Sequence, residues 1–366
     1  MTGQEKNLVY LLACAVNGVV PESAAMHDLD VHQLFLLAAK HNVCAAAAVA
    51  LERMGVCDGK FHEALGRAIR NDMLFKLERC AILAELEHEG IWYAPLKGIL
   101  LRELYPASHI REMVDNDILI DETRRHDVRQ IMLARGYEVF SFGTKKDDIY
   151  QKKPVFDFEM HVSLFMLYKT ESAYRYFADA RRLMKKDDGN GYGYHFSDED
   201  FYLYMTVHEY KHYSNMGTGL KSLMDCYVFL KAKGGSLDWG YVNERLREFG
   251  IADFEARRRD LADRLFSFGD VDALPDDERE MLDYYLSSGN QGSRKNLVEN
   301  RLKGRSKLSF WLRSIFIPRD VMAVSVPLTS KSVLLYPIGV VWRCIRALFN
   351  WRILVQTIRI VWKYGE

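Results

Sequence analysis

Residues 156 to 161 read Phe-Asp-Phe-Glu-Met-His, and this alternation fits a β-strand and no helix. Successive strand side chains point to opposite faces, so Phe156, Phe158 and Met160 share one face and Asp157, Glu159 and His161 the other. Such a strand buries one side and keeps polar partners on its second. A further acidic alternation stands upstream, in Asp115-Asn116-Asp117-Ile118, where Asp115 and Asp117 point one way and Asn116 and Ile118 the other. If the two strands are sheet neighbours, Glu159, or its face-mate Asp157, joins Asp115 and Asp117. Three carboxylates this close raise one another's pKa unless a cation neutralises them. Magnesium or manganese suits hard oxygen donors and also takes substrate phosphates. Lys97-Gly98, at a strand-to-helix junction, adds a cation and backbone N–H groups suited to phosphate.

Around this core the chain divides by pattern. Residues 1–90 read as helices, with Leu34, Leu37 and Ala38 at helical spacing and a long amphipathic segment from Phe61 to His88. Residues 91–196 alternate between strand and helix patterns: strands at 91–96, 114–120, 137–142 and 155–164, with helices at 99–105 and 122–135. Residues 197–300 return to helix after a glycine-rich turn at 189–193. Residues 301–366 form a basic amphipathic segment. The fold class is α+β, a small mixed sheet flanked by helical regions.

Fifty basic residues balance fifty acidic ones over 366 positions, which argues against nucleic acid as a partner, because such proteins gain affinity from surplus Lys and Arg. The six cysteines are scattered and form no CxxC, so neither a zinc knuckle nor a disulfide framework is indicated and a cytoplasmic setting is expected. The apolar stretch from Leu8 to Val20 is interrupted by Asn17 and Gly18 and is expected to be a first helix rather than a leader; no run is long enough to span a bilayer. The balance breaks after residue 300, where twelve Lys or Arg face two acids, Asp320 and Glu366. There the first expectation is that the apolar face packs on the protein's own helices. The alternative is a basic tail that docks on a partner or on the inner face of a membrane.

The ordered set Leu96-Lys97-Gly98, Tyr105-Pro106, Arg111, Asp115-x-Asp117-x-Leu119, Gly136-Tyr137, Glu159-x-His161, His208-x-x-x-His212 and Leu223-x-Asp225 resembles the uncharacterised bacterial nucleotidyltransferase family related to DNA polymerase beta. The resemblance runs through most of the chain, to Phe316-Ile317-Pro318-Arg319. It implies that Asp115, Asp117 and Glu159 are catalytic and bind magnesium or manganese. Lys97 and Gly98 would hold the triphosphate of a nucleoside triphosphate and Arg111 would meet a phosphate. His208 and His212 are expected to be structural or to line the substrate site, and His161 to pack or support a neighbouring ligand rather than bind metal itself, with substrate lining as its alternative. The implied reaction moves a nucleoside monophosphate to an unidentified hydroxyl acceptor, a sugar, metabolite or protein, and releases pyrophosphate. The chain departs from the family pattern in having Asn116 where an aliphatic residue is usual, Glu159 where Asp is common and Gly98-Ile99 in place of a Gly-Ser pair. Two rival readings stand beside this one. The chain can be a silent nucleotide-binding or scaffold protein docking through its tail. His208-Glu209-Tyr210-Lys211-His212 also matches the HExxH pattern of zinc peptidases, although no third ligand follows at the expected spacing.

Overall fold

The computed structural model describes residues 1–143, 146–165, 172–189, 191–326 and 328–364, which leaves Asn190 of the glycine-rich turn and Glu366 of the tail outside the described residues. Two compact units result, one of Met1–Tyr210 with Gly219–Asn290 and one of Lys211–Thr218 with Gln291–Glu366.

The first unit opens with helices α1 (Gly3–Asn17), α2 (Val31–His41), α3 (Cys44–Arg53) and α4 (Gly59–His88). Short polar side chains start three of them: Thr2 and Glu5 form a reciprocal capping box, Asp30 accepts from Gln33 N, and Asp58 accepts from the Lys60 and Phe61 backbone N–H groups. The apolar stretch beginning at Leu8 is packed inside the unit as the body of α1.

Strands β1 (Tyr93–Pro95), β2 (Asn116–Ile120), β3 (Glu138–Ser141), β4 (Asp147–Lys152) and β5 (Phe156–His161) form a mixed sheet in the order β1-β2-β5-β4-β3. Only β2 and β5 run parallel, and they lie side by side. Helix α5 (Gly98–Leu101) follows β1, and α6 (Arg125–Ala134) links β2 to β3. The expected apolar face of β5 is real: Phe158 and Met160 join Ile118, Ile120 and Tyr150 in a core closed by Ile82 and Leu86 of α4 and by Val128 and Met132 of α6. Each such burial contributes roughly 1.5–3 kcal/mol. Strand β4 is absent from the sequence pattern because its acidic start is internally paired. Asp148, fully buried, accepts from Nε and Nη2 of Arg125, each at 2.5 Å, and from Gly143 N at 2.8 Å.

Short helices α7 (Ser172–Tyr176) and α8 (Ala180–Leu183) lead into a hairpin of β6 (Met184–Lys186) and β7 (Tyr194–Phe196). Helices α9 (Asp198–Tyr213), α10 (Leu220–Lys233), α11 (Trp239–Phe249), α12 (Ala252–Phe266) and α13 (Asp276–Ser288) follow; the last three residues of α9 are counted with the second unit. Tyr202, Leu203, Tyr204 and Val207 of α9 and Phe229 of α10 pack with Ala94, Leu96 and Leu119. That second core covers the opposite face of the sheet, the one that carries the acids.

The second unit contains α14 (Arg294–Leu302), α15 (Lys307–Ile315), α16 (Arg319–Ser325), α17 (Leu328–Lys331), α18 (Tyr336–Phe349) and α19 (Trp351–Tyr364). Its small core joins Val298, Leu302, Phe310 and Val361. The expectation that the tail's apolar face packs on the protein's own helices holds there and at Met322 of α16, which is fully buried beside Gly339 of α18. Along α18 the large apolar side chains Ile338, Val341, Trp342, Ile345, Leu348 and Phe349 are exposed instead, because the core of this unit is too small to cover them.

Candidate active site

The parallel pairing of β2 with β5 sets Asp117 directly across from Glu159. Asp115 lies just before β2, half-buried, while Asp117 is buried. On the reverse face Asn116 is fully buried and accepts a hydrogen bond from Nη1 of Arg79 on α4 at 2.9 Å. An aliphatic residue there would strand a buried guanidinium, which accounts for the departure at this position.

Lys97 occupies the β1–α5 junction with φ 40° and ψ −112°. A non-glycine residue in that region costs about 1–3 kcal/mol and is held by its surroundings. Here the strained turn delivers Nζ to Oδ1 of Asp117 at 3.0 Å. The same oxygen lies 2.6 Å from His161 Nε2, and Lys146 Nζ lies 3.1 Å from His161 Nδ1. An ammonium only donates, so Nδ1 is the acceptor and Nε2–H donates to Asp117. His161 thereby fixes the orientation of the Asp117 carboxylate. On the polar face of β5 the His161 imidazole is fully buried, because Asp117, Glu159 and Lys146 close over it.

Burial would raise the Asp117 carboxyl, but the Lys97 charge and the His161 hydrogen bond outweigh it and hold the group well below the usual carboxylate range. Asp115 goes the other way, pushed up by burial and by the Asp117 charge, with Lys97 opposing. Burial likewise lowers the Lys97 amine, yet Asp117 more than compensates and keeps it raised. Among the described residues neither Asp115 nor Glu159 has a hydrogen-bond or ion-pair partner within normal bonding distance, beyond a 3.5 Å approach of His161 to Glu159. Asp115 and Asp117 thus sit together with Glu159 and share the nearby Lys97 charge, with Lys221 also acting on Asp115, and a bound cation would relieve their mutual repulsion. Ligand atoms of Asp117, Glu159 and His161 lie within 4.8 Å of one another, a group that does not include Asp115. With His161 donating to Asp117, the donors open to a cation are carboxylate oxygens, and these fit magnesium or manganese.

Gly98 and Arg111 meet closely: a Cβ on Gly98 would lie 2.5 Å from Arg111 Nη1. The guanidinium is anchored on α10, where Nε and Nη2 donate to the two oxygens of Asp225 at 2.7 and 2.8 Å, and Tyr105 Oη donates to Asp225 as well at 2.7 Å. Of the sites expected to meet phosphate, Arg111 therefore has only Nη1 outside the Asp225 pair, and that nitrogen lies over the Gly98 turn.

His208, on α9, has its ring 6.2 Å from that of Tyr204. Burial raises the Tyr204 phenol, which lies in the fields of Lys97, Asp117 and Glu159. His212 belongs to the second unit. Between the histidines, Glu209 is buried and accepts from Arg258 Nη1 at 2.9 Å and from Tyr285 Oη at 2.6 Å. A peptidase base must reach water, so the HExxH reading loses its base to a structural ion pair. The sequence reading passed over Lys146, Tyr204 and Lys221. Lys221 stands one turn before Asp225 on α10, a spacing of four that was legible. Burial pushes its amine down while Asp225, Asp115 and Glu112 oppose this.

A family model described as an uncharacterised nucleotidyltransferase matches residues 27–267, a span that encloses Lys97, Arg111, Asp115, Asp117, Glu159, His161 and Asp225. No curated protein and no solved structure matches the chain.

Proposed function

Because the chain belongs to the uncharacterised nucleotidyltransferase family, and so is an enzyme of nucleotidyl transfer, we propose that its first unit carries out metal-dependent transfer of the polymerase beta-like kind. An acceptor hydroxyl oxygen attacks the α-phosphorus of a nucleoside triphosphate, the bond from that phosphorus to the bridging oxygen breaks, and pyrophosphate leaves. The observation that carries this reading is the register pairing of Asp117 with Glu159, two residues from Asp115 and in contact with Lys97.

Asp115, Asp117 and Glu159 hold magnesium or manganese, which when bound neutralises phosphate charge and acidifies the acceptor hydroxyl. Lys97 and the Gly98 turn receive the triphosphate, and Arg111, held rigid by Asp225, borders that turn. His161 keeps Asp117 oriented. Glu159 takes the acceptor proton, a role for which Asp157 is less suited since its Oδ2 accepts from Gln151 at 3.0 Å. Positioning and electrostatics supply most of the rate in such a site.

The test is release of pyrophosphate and of label from α-phosphate-labelled ATP, CTP, GTP and UTP, with magnesium and a fractionated cell extract as acceptor source. Turnover that disappears in Asp117→Asn and in Glu159→Gln supports the reading. Nucleotide binding without metal and without turnover would replace it with the silent scaffold.

A further inference from the structure

The second unit carries a surface that nucleotidyl transfer does not use. Along α18, Ile338, Val341, Trp342, Ile345, Leu348 and Phe349 follow the three-and-four spacing of one helical stripe, and all of them are exposed. The stripe continues round the corner at Asn350, where α18 and α19 meet at 94°. Phe349 is 86% exposed and Trp351 60%, so the corner presents two large aromatic side chains to water. Soluble proteins rarely leave so many large apolar side chains together in water.

The charge around the stripe identifies its complement. No acid occurs between Asp320 and Glu366, whereas Arg343, Arg346, Arg352, Arg359 and Lys363 lie within or beside the two helices. Arg346, Arg352 and Arg359 are exposed. A protein partner would need an extended apolar groove rimmed by acids. A bilayer leaflet with acidic headgroups offers both in one plane, and tryptophan is favoured at that interface. Crossing as one straight helix is excluded by length: α18 has 14 residues, about 21 Å of rise against roughly 30 Å of hydrocarbon, and the 94° bend keeps α19 from extending it. Among the described residues no single helix is long and apolar enough to cross a membrane.

We propose that α18 and α19 dock the enzyme on an anionic lipid surface, in the plane of the interface, with the Phe349-Asn350-Trp351 corner inserted among the acyl chains and the arginines on the headgroups. This inference is independent of the chemistry assigned to the first unit.

Vesicle flotation of the full chain tests it, using phosphatidylcholine vesicles with and without phosphatidylglycerol at low and high salt. The expected result is binding to the anionic vesicles, weakened severalfold by salt. Phe349→Ser with Trp351→Ser should weaken it at least tenfold, and Arg346→Gln with Arg352→Gln should weaken it mainly at low salt. All four side chains are exposed, so circular dichroism should show an unchanged fold. Equal flotation on both vesicle types, flotation indifferent to the corner variant, or no flotation would overturn the proposal. So would lipid-free dimerisation abolished by the corner variant, since the stripe would then be an interface between copies of the chain.

Discussion

Gly98→Ala is the most instructive single change in the first unit. The added methyl carbon would lie 2.5 Å from Arg111 Nη1 and 3.3 Å from its Cζ, so the guanidinium must move. An exposed arginine would swing away at little cost. Here Nε and Nη2 are committed to Asp225 at 2.7 and 2.8 Å, with both side chains about nine-tenths buried, so movement breaks at least one charge-assisted bond. Such a bond contributes about 1.5–3 kcal/mol, and this is the expected loss of unfolding free energy. Helix propensity at the start of α5 works slightly in the other direction, by well under 1 kcal/mol. Urea unfolding of the wild type, Gly98→Ala, Arg111→Ala and the double variant forms a complete cycle. Arg111→Ala should cost about 3–5 kcal/mol, since it removes the bidentate partner of buried Asp225 and leaves it the Tyr105 hydrogen bond and the more distant Lys221 charge. In that background the methyl group has nothing to displace, so adding it should change stability by no more than about 0.5 kcal/mol. Additive single costs would refute the steric argument and the rigid placement of Arg111 with it.

Asn116→Leu leaves Arg79 buried without its partner and should lower stability by about 2 kcal/mol in urea unfolding; an unchanged midpoint would mean that Arg79 finds water. Glu209→Ala should cost about 3–5 kcal/mol by leaving buried Arg258 without the carboxylate that pairs with its Nη1, and elemental analysis of the wild type should find no stoichiometric zinc. Burial, helped by Lys40, pushes the His41 imidazole down to about 4. Its Nδ1 accepts from Leu220 N at 3.2 Å, a bond that protonation would destroy. The unfolded chain therefore binds the proton first. His41 contributes full stability above about pH 6.5, and roughly 3 kcal/mol of it is lost as the pH falls from there to about 4. The difference in pH slope between wild type and His41→Gln measures this; parallel curves would contradict it.

Where the sequence signal was strong it was periodic. Phe156 to His161 announced a strand with one buried face, and Phe158 and Met160 lie in the core as that alternation requires. The pairing that matters, Asp117 with Glu159, joins residues on strands that are not consecutive in the sheet's chain order, so it was conditional on adjacency. Strand β4 escaped because Arg125 neutralises Asp148 from α6, and a paired buried acid reads like a surface residue. The partners of His161 were hidden for a similar reason, since Lys146 and Asp117 come from separate segments. The Arg111–Asp225 pair spans a separation no periodicity covers, whereas Lys221 beside Asp225 was available from helical spacing. In the tail, amphipathic spacing gave the stripe but not its covering, because that depends on how little core the second unit has.

The central claim is that Asp115, Asp117 and Glu159 form a carboxylate site that a divalent ion completes when nucleotide is bound. Manganese titration by electron paramagnetic resonance, with a non-hydrolysable nucleoside triphosphate, measures this on the intact chain. The account predicts stoichiometric, nucleotide-enhanced binding in the wild type, weakened at least tenfold in both Asp117→Asn and Glu159→Gln, with fold retained by circular dichroism. Manganese binding that is equally tight in those variants, or absent from the wild type with nucleotide present, would contradict it.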